Sequence, residues 1–157
     1  MKQLAVFTLA FLSGCGAPPS PCGPSSGRVV NVVDGDTVDL ESGVRIRLIL
    51  VDTPETTGGK TDCYGQEAKA FTTAALDGKQ VTLAYESECK DRFGRTLAFV
   101  TADNEEINST LVKKGLACVL YIKPDGESRK VEFEDYETVA KTERVGMWGT
   151  CAKVTCE

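Results

Sequence analysis

The chain contains no histidine. That absence removes the usual general base at neutral pH, the usual zinc ligand, and the Ser–His and Cys–His nucleophile pairs. There is no Cys-x-x-Cys pair either, so neither sulfur nor imidazole can complete a zinc set. No internal repeat is visible, and the one marked apolar run, residues 4–12, is too short to span a bilayer as a helix. Positive charge is in deficit: 18 Lys and Arg stand against 23 Asp and Glu, a net charge of −5. Any hydrolysis must therefore rest on carboxylates, guanidinium groups and a metal ion.

Three short stretches supply those groups: Asp34-Gly-Asp-Thr-Val38, Arg47-Leu-Ile-Leu-Val-Asp-Thr-Pro-Glu55 and Asp91-Arg-Phe-Gly-Arg95. Taken singly, each has a plain structural explanation. Asp-Gly-Asp is an ordinary turn, Glu55 a solvated loop residue, and Arg47 and Arg95 outward charges. Taken together they are a phosphate-handling set. Asp36 and Asp52 flank strands and can meet across them; two carboxylates with a carbonyl and water suit calcium or magnesium. Arginine's planar fork matches two phosphate oxygens, and a glutamate can accept a hydrogen bond or proton from water. Phosphodiester cleavage runs on such a set.

The N-terminus reads as an export signal. Lys2 precedes the apolar run, which closes with Leu12-Ser13-Gly14-Cys15. That ending resembles a bacterial lipobox, in which Cys15 takes the lipid and becomes the new N-terminus; an ordinary secretory signal is the alternative. Residues 1–14 are thus expected to be a signal peptide, and 15–27 a lipidated cysteine with a Pro/Gly/Ser-rich tether. Its twelve residues from 16 to 27 reach roughly 40 Å when extended. Loss of Lys2 takes the mature net charge from −5 to −6. The expected location is the bacterial cell envelope, on a periplasmic or extracellular face.

Seven cysteines are an odd number for an exported protein. With Cys15 assigned to lipid, Cys22, Cys63, Cys89, Cys118, Cys151 and Cys156 allow up to three disulfides. Their pairing stays open, and a bridge from Cys22 to Cys151 or Cys156 would tie the termini together.

One domain is expected over 28–150, with a cysteine-containing tail at 151–157. Apolar, β-branched runs predict strands at 28–33, 36–41, 44–51, 81–86 and 95–101, with Asp34-Gly35 as a hairpin turn. Alternation along 44–51 puts Arg47 opposite the main apolar face. Helices are predicted at 64–76 (Ala68, Phe71 and Ala75 inward, Gly78 as stop), 108–115 and 128–145, the last burying Phe133, Tyr136, Val139 and Ala140. Residues 118–122 read as a short extended segment. Five strands and three helices in this order predict an α+β, mainly β, barrel with helices packed at its end.

The ordered motifs, with Tyr64-Gly-Gln-Glu-Ala68 and Leu111-Val-Lys-Lys-Gly-Leu-Ala117, closely resemble the staphylococcal nuclease (thermonuclease-like) family from about Val32 to Trp148. The resemblance implies a five-stranded OB-fold barrel with three helices, here disulfide-stabilised, that cleaves DNA or RNA with Ca2+ as cofactor. It implies Asp36, Asp52 and the Thr53 carbonyl as calcium ligands, and Glu55 as the catalytic glutamate acting on water. Arg47 and Arg95 match the two phosphate-binding arginines, and Tyr121 a tyrosine of the nucleotide pocket; Arg92 joins the local basic cluster. Products ending in 3′-phosphate follow from the same likeness. No obligate protein partner is evident, and a monomer is expected.

Some positions depart from that pattern. Phe93 stands where the best-known members carry tyrosine, and Lys123 replaces a second pocket tyrosine. The loop at 57–63 is shorter and holds Cys63, so a disulfide is expected there in place of mobility. Overall acidity is unusual for a nucleic-acid binder and confines affinity to the Arg47, Arg92, Arg95 and metal cluster. The rival readings are a non-catalytic OB-type module binding nucleic acid or protein, a structural surface lipoprotein, and a metal-dependent phosphatase.

Overall fold

A computed structural model describes residues 20–155. Strands β1 (Ser26–Val32), β2 (Thr37–Leu40) and β3 (Arg45–Leu48) form a meander. Helix α1 (Gly65–Leu76) then leads to β4 (Gln80–Ala84) and β5 (Thr96–Ala102). A two-residue strand β6 (Glu105–Glu106) runs straight into helix α2 (Ile107–Lys113). A 3₁₀ turn at Glu127–Arg129 opens helix α3 (Lys130–Thr142), and a single turn α4 (Met147–Thr150) follows.

The sheet closes on itself. β1 pairs with β2 through Val29–Val32 and with β4 through Ser26–Arg28, and the register shifts between Val29 and Asn31. Such an irregularity bends a strand and lets it serve both sides of a barrel. β2 pairs antiparallel with β3, β4 antiparallel with β5, and a parallel β3–β5 pairing seals the ring. The result is a five-stranded mixed barrel, with β6 an appendage of β5. Ile46, Leu48, Val81, Ala98 and Val100 are among its buried residues, as are Ile107, Leu111 and Phe133 on the helices.

Predicted and observed elements differ in informative places. The strand expected over 44–51 stops at Leu48, and Leu50 takes a positive φ of 60°. The cause is side-chain capture of carbonyls: Arg47 Nη1 donates to Leu48 O at 2.8 Å and also to Val51 O, while Asn108 Nδ2 donates to Ile49 O at 2.9 Å. Residues 118–122 form only isolated bridges, Asp52 with Cys118 and Ile122 with Asp125. On α3, Phe133 and Ala140 are buried, Phe133 against Phe99 of β5, but Val139 is 53% exposed because it lies off the stripe that meets α2.

The disulfides run Cys22–Cys89 and Cys63–Cys151, with Cys118 also disulfide-bonded. Cys22 does not reach the C-terminal cysteines, because the start of β1 lies on β4. Leu83 N donates to Ser25 O, and Tyr85 Oη donates to Pro24 O at 2.6 Å. The tail end of the expected tether is thus pinned to the barrel. Cys15 and the signal-like residues before it lie outside the described residues. Among the described residues no helix is long and apolar enough to cross a membrane.

Candidate nuclease site

The site grows from two turns. The first joins β1 to β2, where Val33 N donates to Thr37 O and Asp36 N to Asp34 Oδ1 at 3.3 Å. The second is the bend after β3, where Asp52 exchanges backbone hydrogen bonds with Cys118. Gly35 holds the two together. A Cβ there would stand 2.7–2.9 Å from Thr53 side-chain atoms, so only glycine admits Thr53 this close. Thr53 then donates to Asp36 Oδ2 from its amide at 3.0 Å and from its hydroxyl at 3.2 Å.

Asp36 and Asp52 converge on one guanidinium. Arg47 Nη2 lies 3.2 Å from Asp36 Oδ2 and 3.1 Å from Asp52 Oδ1. Arg47 does sit opposite the face of Ile46 and Leu48, yet it is not an outward charge: it is buried, roofed by the bend it organises. Asp34, to which sequence reasoning gave no role, is buried in the same turn. Burial above all, then the charge and hydrogen bonding of Asp36, with a smaller push from Glu55, raise its carboxyl to about 7. Its only sequence signal was membership of the Asp-Gly-Asp turn.

A cleft of about 730 Å³ opens over these groups. Its lining includes Asp36, Arg47, Asp52 and Glu55, then Asp91, Arg92, Phe93 and Arg95 of the β4–β5 loop, and Leu120, Ile122, Lys123, Pro124 and Asp125. Glu55 is half-buried and accepts a 2.9 Å hydrogen bond from Thr57 Oγ1. Arg95 is held by Asp91, Nε to Oδ2 at 2.6 Å. Arg92 lies with its guanidinium carbon 4.7 Å from the Phe93 ring centre. The turn at Gly126 closes against the bend after β3: its φ is +88°, and a Cβ there would meet Leu50 Cγ at 2.5 Å.

Of the expected site residues, Asp36, Arg47, Asp52, Glu55, Arg92 and Arg95 thus gather on one cleft, while Thr53 is buried against Asp36 and is not among the lining residues. Tyr121 is also not among them; Leu120 and Ile122 are. The Tyr121 hydroxyl is buried with no hydrogen-bond partner among the described residues, and the Lys130 ammonium lies 5.1 Å from its ring centre. Asn108, at the head of an Asn-Ser-Thr sequence on α2, is fully buried. Its amide bridges Val100 N, Ile49 O and Ala98 O, which locks the bend carrying Asp52 to β5.

The donor set fits a hard cation. Two convergent carboxylates and a neighbouring carbonyl at Thr53 are all oxygen, the chemistry calcium prefers. Among the described residues no three acidic, cysteine or histidine side chains are close enough to form a metal cage alone, so carbonyl and water would complete the shell.

Comparison with known proteins agrees with this geometry. The chain matches the staphylococcal nuclease homologue family over residues 45–150. It is 38% identical over 125 residues to a thermonuclease of Staphylococcus intermedius, covering 76% of this chain and 74% of that one. It is 32% identical over 157 residues to a thermonuclease of Staphylococcus hyicus, covering 94% and 92%. An uncharacterized protein of Bacillus anthracis is 37% identical over 128 residues, 78% of this chain, and there the match spans 60% of the relative's length. With the closed five-stranded barrel, its three helices and the matched region all in agreement, the chain belongs to the staphylococcal nuclease family.

Proposed function

We propose that the protein is a calcium-dependent nuclease that hydrolyses phosphodiester bonds of DNA or RNA and leaves 3′-phosphate ends. The observation that carries this reading is the convergence of Asp36 and Asp52 on Arg47, at the side of a cleft that also holds Glu55 and Arg95. Asp36, Asp52 and the Thr53 carbonyl would hold calcium, which when bound offsets negative charge on the phosphate.

The chain's own residues do the rest. Arg47 and Arg95 grip the non-bridging phosphate oxygens and stabilise the charge that accumulates as the phosphorus gains a fifth ligand. Glu55 orients a water molecule in line and takes its proton as the oxygen–phosphorus bond forms. The bond to the 5′ oxygen breaks, and that oxygen leaves with a proton from solvent. Arg92 adds local positive charge at the rim, and Tyr121 supports the pocket wall from behind Leu120 and Ile122. Affinity comes from this cluster rather than from a basic surface.

The location follows from the N-terminal motif: export, lipidation at Cys15 and attachment to the cell envelope. The disulfides fit an oxidising compartment of that kind. The oxidised chain, incubated with heat-denatured DNA and calcium, should fragment it; chelator or Glu55→Gln should stop the reaction. A folded, calcium-binding protein that cleaves neither DNA nor RNA overturns the reading in favour of a binding module.

A further inference from the structure

The cleft does not end at the two arginines. Phe93 and Arg95 also line a second groove of about 740 Å³, whose other residues are Asp39, Gly43, Arg45 and Gly94. It lies between the β2–β3 hairpin and the β4–β5 loop. Its lining holds two glycines, Gly43 and Gly94, with no atom within 4 Å of where a Cβ would stand, so that stretch of the wall is backbone and open.

Phe93 lines both grooves and is 68% exposed. It is the only aromatic among the exposed large hydrophobic residues described. The guanidinium carbons of Arg92 and Arg95 lie 4.7 and 5.3 Å from its centre, which holds the ring at the boundary beside positive charge. An exposed ring flanked by cations is the arrangement on which a nucleobase stacks, because every base has a π-face and its phosphate lies nearby.

Arg45 supplies a cation on the far side. It lies two residues before Arg47 on β3, hence on the same face, at a separation of roughly 6.6 Å along the strand. That is on the order of the step between consecutive phosphates of an extended single strand. The parallel register of Ile46 with Thr96 brings Arg45 alongside Arg95. Its side chain is 50% exposed, and Asp39 takes only its Nε and Nη2, leaving other N–H groups of the fork directed elsewhere.

We propose that this second groove is an extension subsite for single-stranded nucleic acid: the base next to the cleaved nucleotide stacks on Phe93, and a flanking phosphate meets Arg45. The inference rests on the nuclease reading above. It accounts for an exposed phenylalanine at a cleft mouth, and it gives an acidic protein a short positive track, Arg47–Arg95–Arg45, along which a strand can lie.

The test compares a thymidine dinucleotide with a single-stranded oligothymidylate of eight nucleotides, using the oxidised chain and its Arg45→Gln and Phe93→Leu variants. Cleavage kinetics and equilibrium binding by fluorescence anisotropy are both read, with circular dichroism to establish folding. Each substitution should raise KM and Kd for the octamer about tenfold, the effect of one lost stacking or phosphate contact. With Arg45→Gln the dinucleotide values should move less than twofold and octamer binding should depend less steeply on salt, and with Phe93→Leu the octamer loss should exceed the dinucleotide loss. Equal losses on both substrates would place the residues at the cleaved bond, and no loss on either would remove the subsite; each outcome overturns the proposal. Wild-type protein that binds the octamer through Phe93 and Arg45 without cleaving it would sink the nuclease reading and leave the groove standing.

Discussion

Asp91 Oδ2 accepts a 2.6 Å hydrogen bond from Arg95 Nε, while its other oxygen accepts from the amides of Phe93 and Arg95 at 2.9 Å. One carboxylate thus aims a phosphate-binding arginine and shapes the loop that carries it. Burial would raise the Asp91 carboxyl, but the Arg95 side chain and the loop amides outweigh it and hold the group below its ordinary value. The group therefore stabilises the loop above the ordinary aspartate pKa, and the benefit is lost as pH falls through the lower folded value. Asp91→Asn should leave the barrel folded and cut kcat/KM about tenfold or more, the effect of losing a charge-assisted hydrogen bond. An unchanged rate would show that Arg95 needs no such support.

Glu55 and Arg47 should separate chemistry from stability. Glu55→Gln is expected to lower kcat by about 10²-fold or more with an unaltered urea midpoint, since the amide keeps an oxygen to accept the hydrogen bond from Thr57 Oγ1. Arg47→Lys should lower turnover and also cost about 1–3 kcal/mol in urea unfolding, because the carbonyls of Leu48 and Val51 lose their donor. Wild-type kinetics in either variant would take that residue out of the mechanism.

Calcium binding should respond to Asp36 directly. Titration calorimetry of Asp36→Asn is expected to give at least a tenfold weaker calcium Kd than wild type, since a formal ligand charge is lost from an oxygen site. An identical isotherm would remove Asp36 from the ligand set.

The disulfides span long stretches of chain, 67 residues for Cys22–Cys89 and 88 for Cys63–Cys151. Loop-closure entropy puts each at about 4.5 kcal/mol as an upper figure. Cys63→Ser with Cys151→Ser should lower unfolding free energy by about 2–4 kcal/mol and free the loop after Glu55. Hydrogen exchange at residues 57–63 is the readout, and unaltered protection there would count against that restraint.

Acid stability should depend on the cluster at the start of α3. Glu132 is drawn down to about 2, first by its hydrogen bonds from Arg129, against burial, and then by Tyr136. Its contribution is complete above the ordinary glutamate pKa of about 4.3 and is lost as pH falls toward 2. The melting temperature of Glu132→Gln should therefore fall below wild type at pH 6 and converge with it near pH 2. A gap that stays constant with pH would assign the effect to packing.

Much of the fold could be read from residue pattern alone. The Asp34-Gly35 turn, the strands on either side of it, and helix α1 with its Gly78 stop all appear within a residue or two of expectation. These are local decisions, set by side-chain period and by residues that tolerate positive φ. The candidate site was legible as motifs for a related reason: the turns that bring Asp36, Asp52 and Glu55 forward are short and carry their own Gly and Pro signals.

Other features were settled only by contacts between distant segments. β3 ends at Leu48 because Arg47 and Asn108 capture the carbonyls beyond it, and no strand propensity encodes that. Cys22 pairs with Cys89 because β1 serves two neighbours and its first half lies on β4. Residue types and turn chemistry determined by themselves which groups are available: carboxylates, guanidinium groups and no imidazole. Barrel closure, through the parallel β3–β5 pairing, decided which of them meet, because only a closed sheet brings Arg45, Arg47 and the loop of Arg95 to one edge.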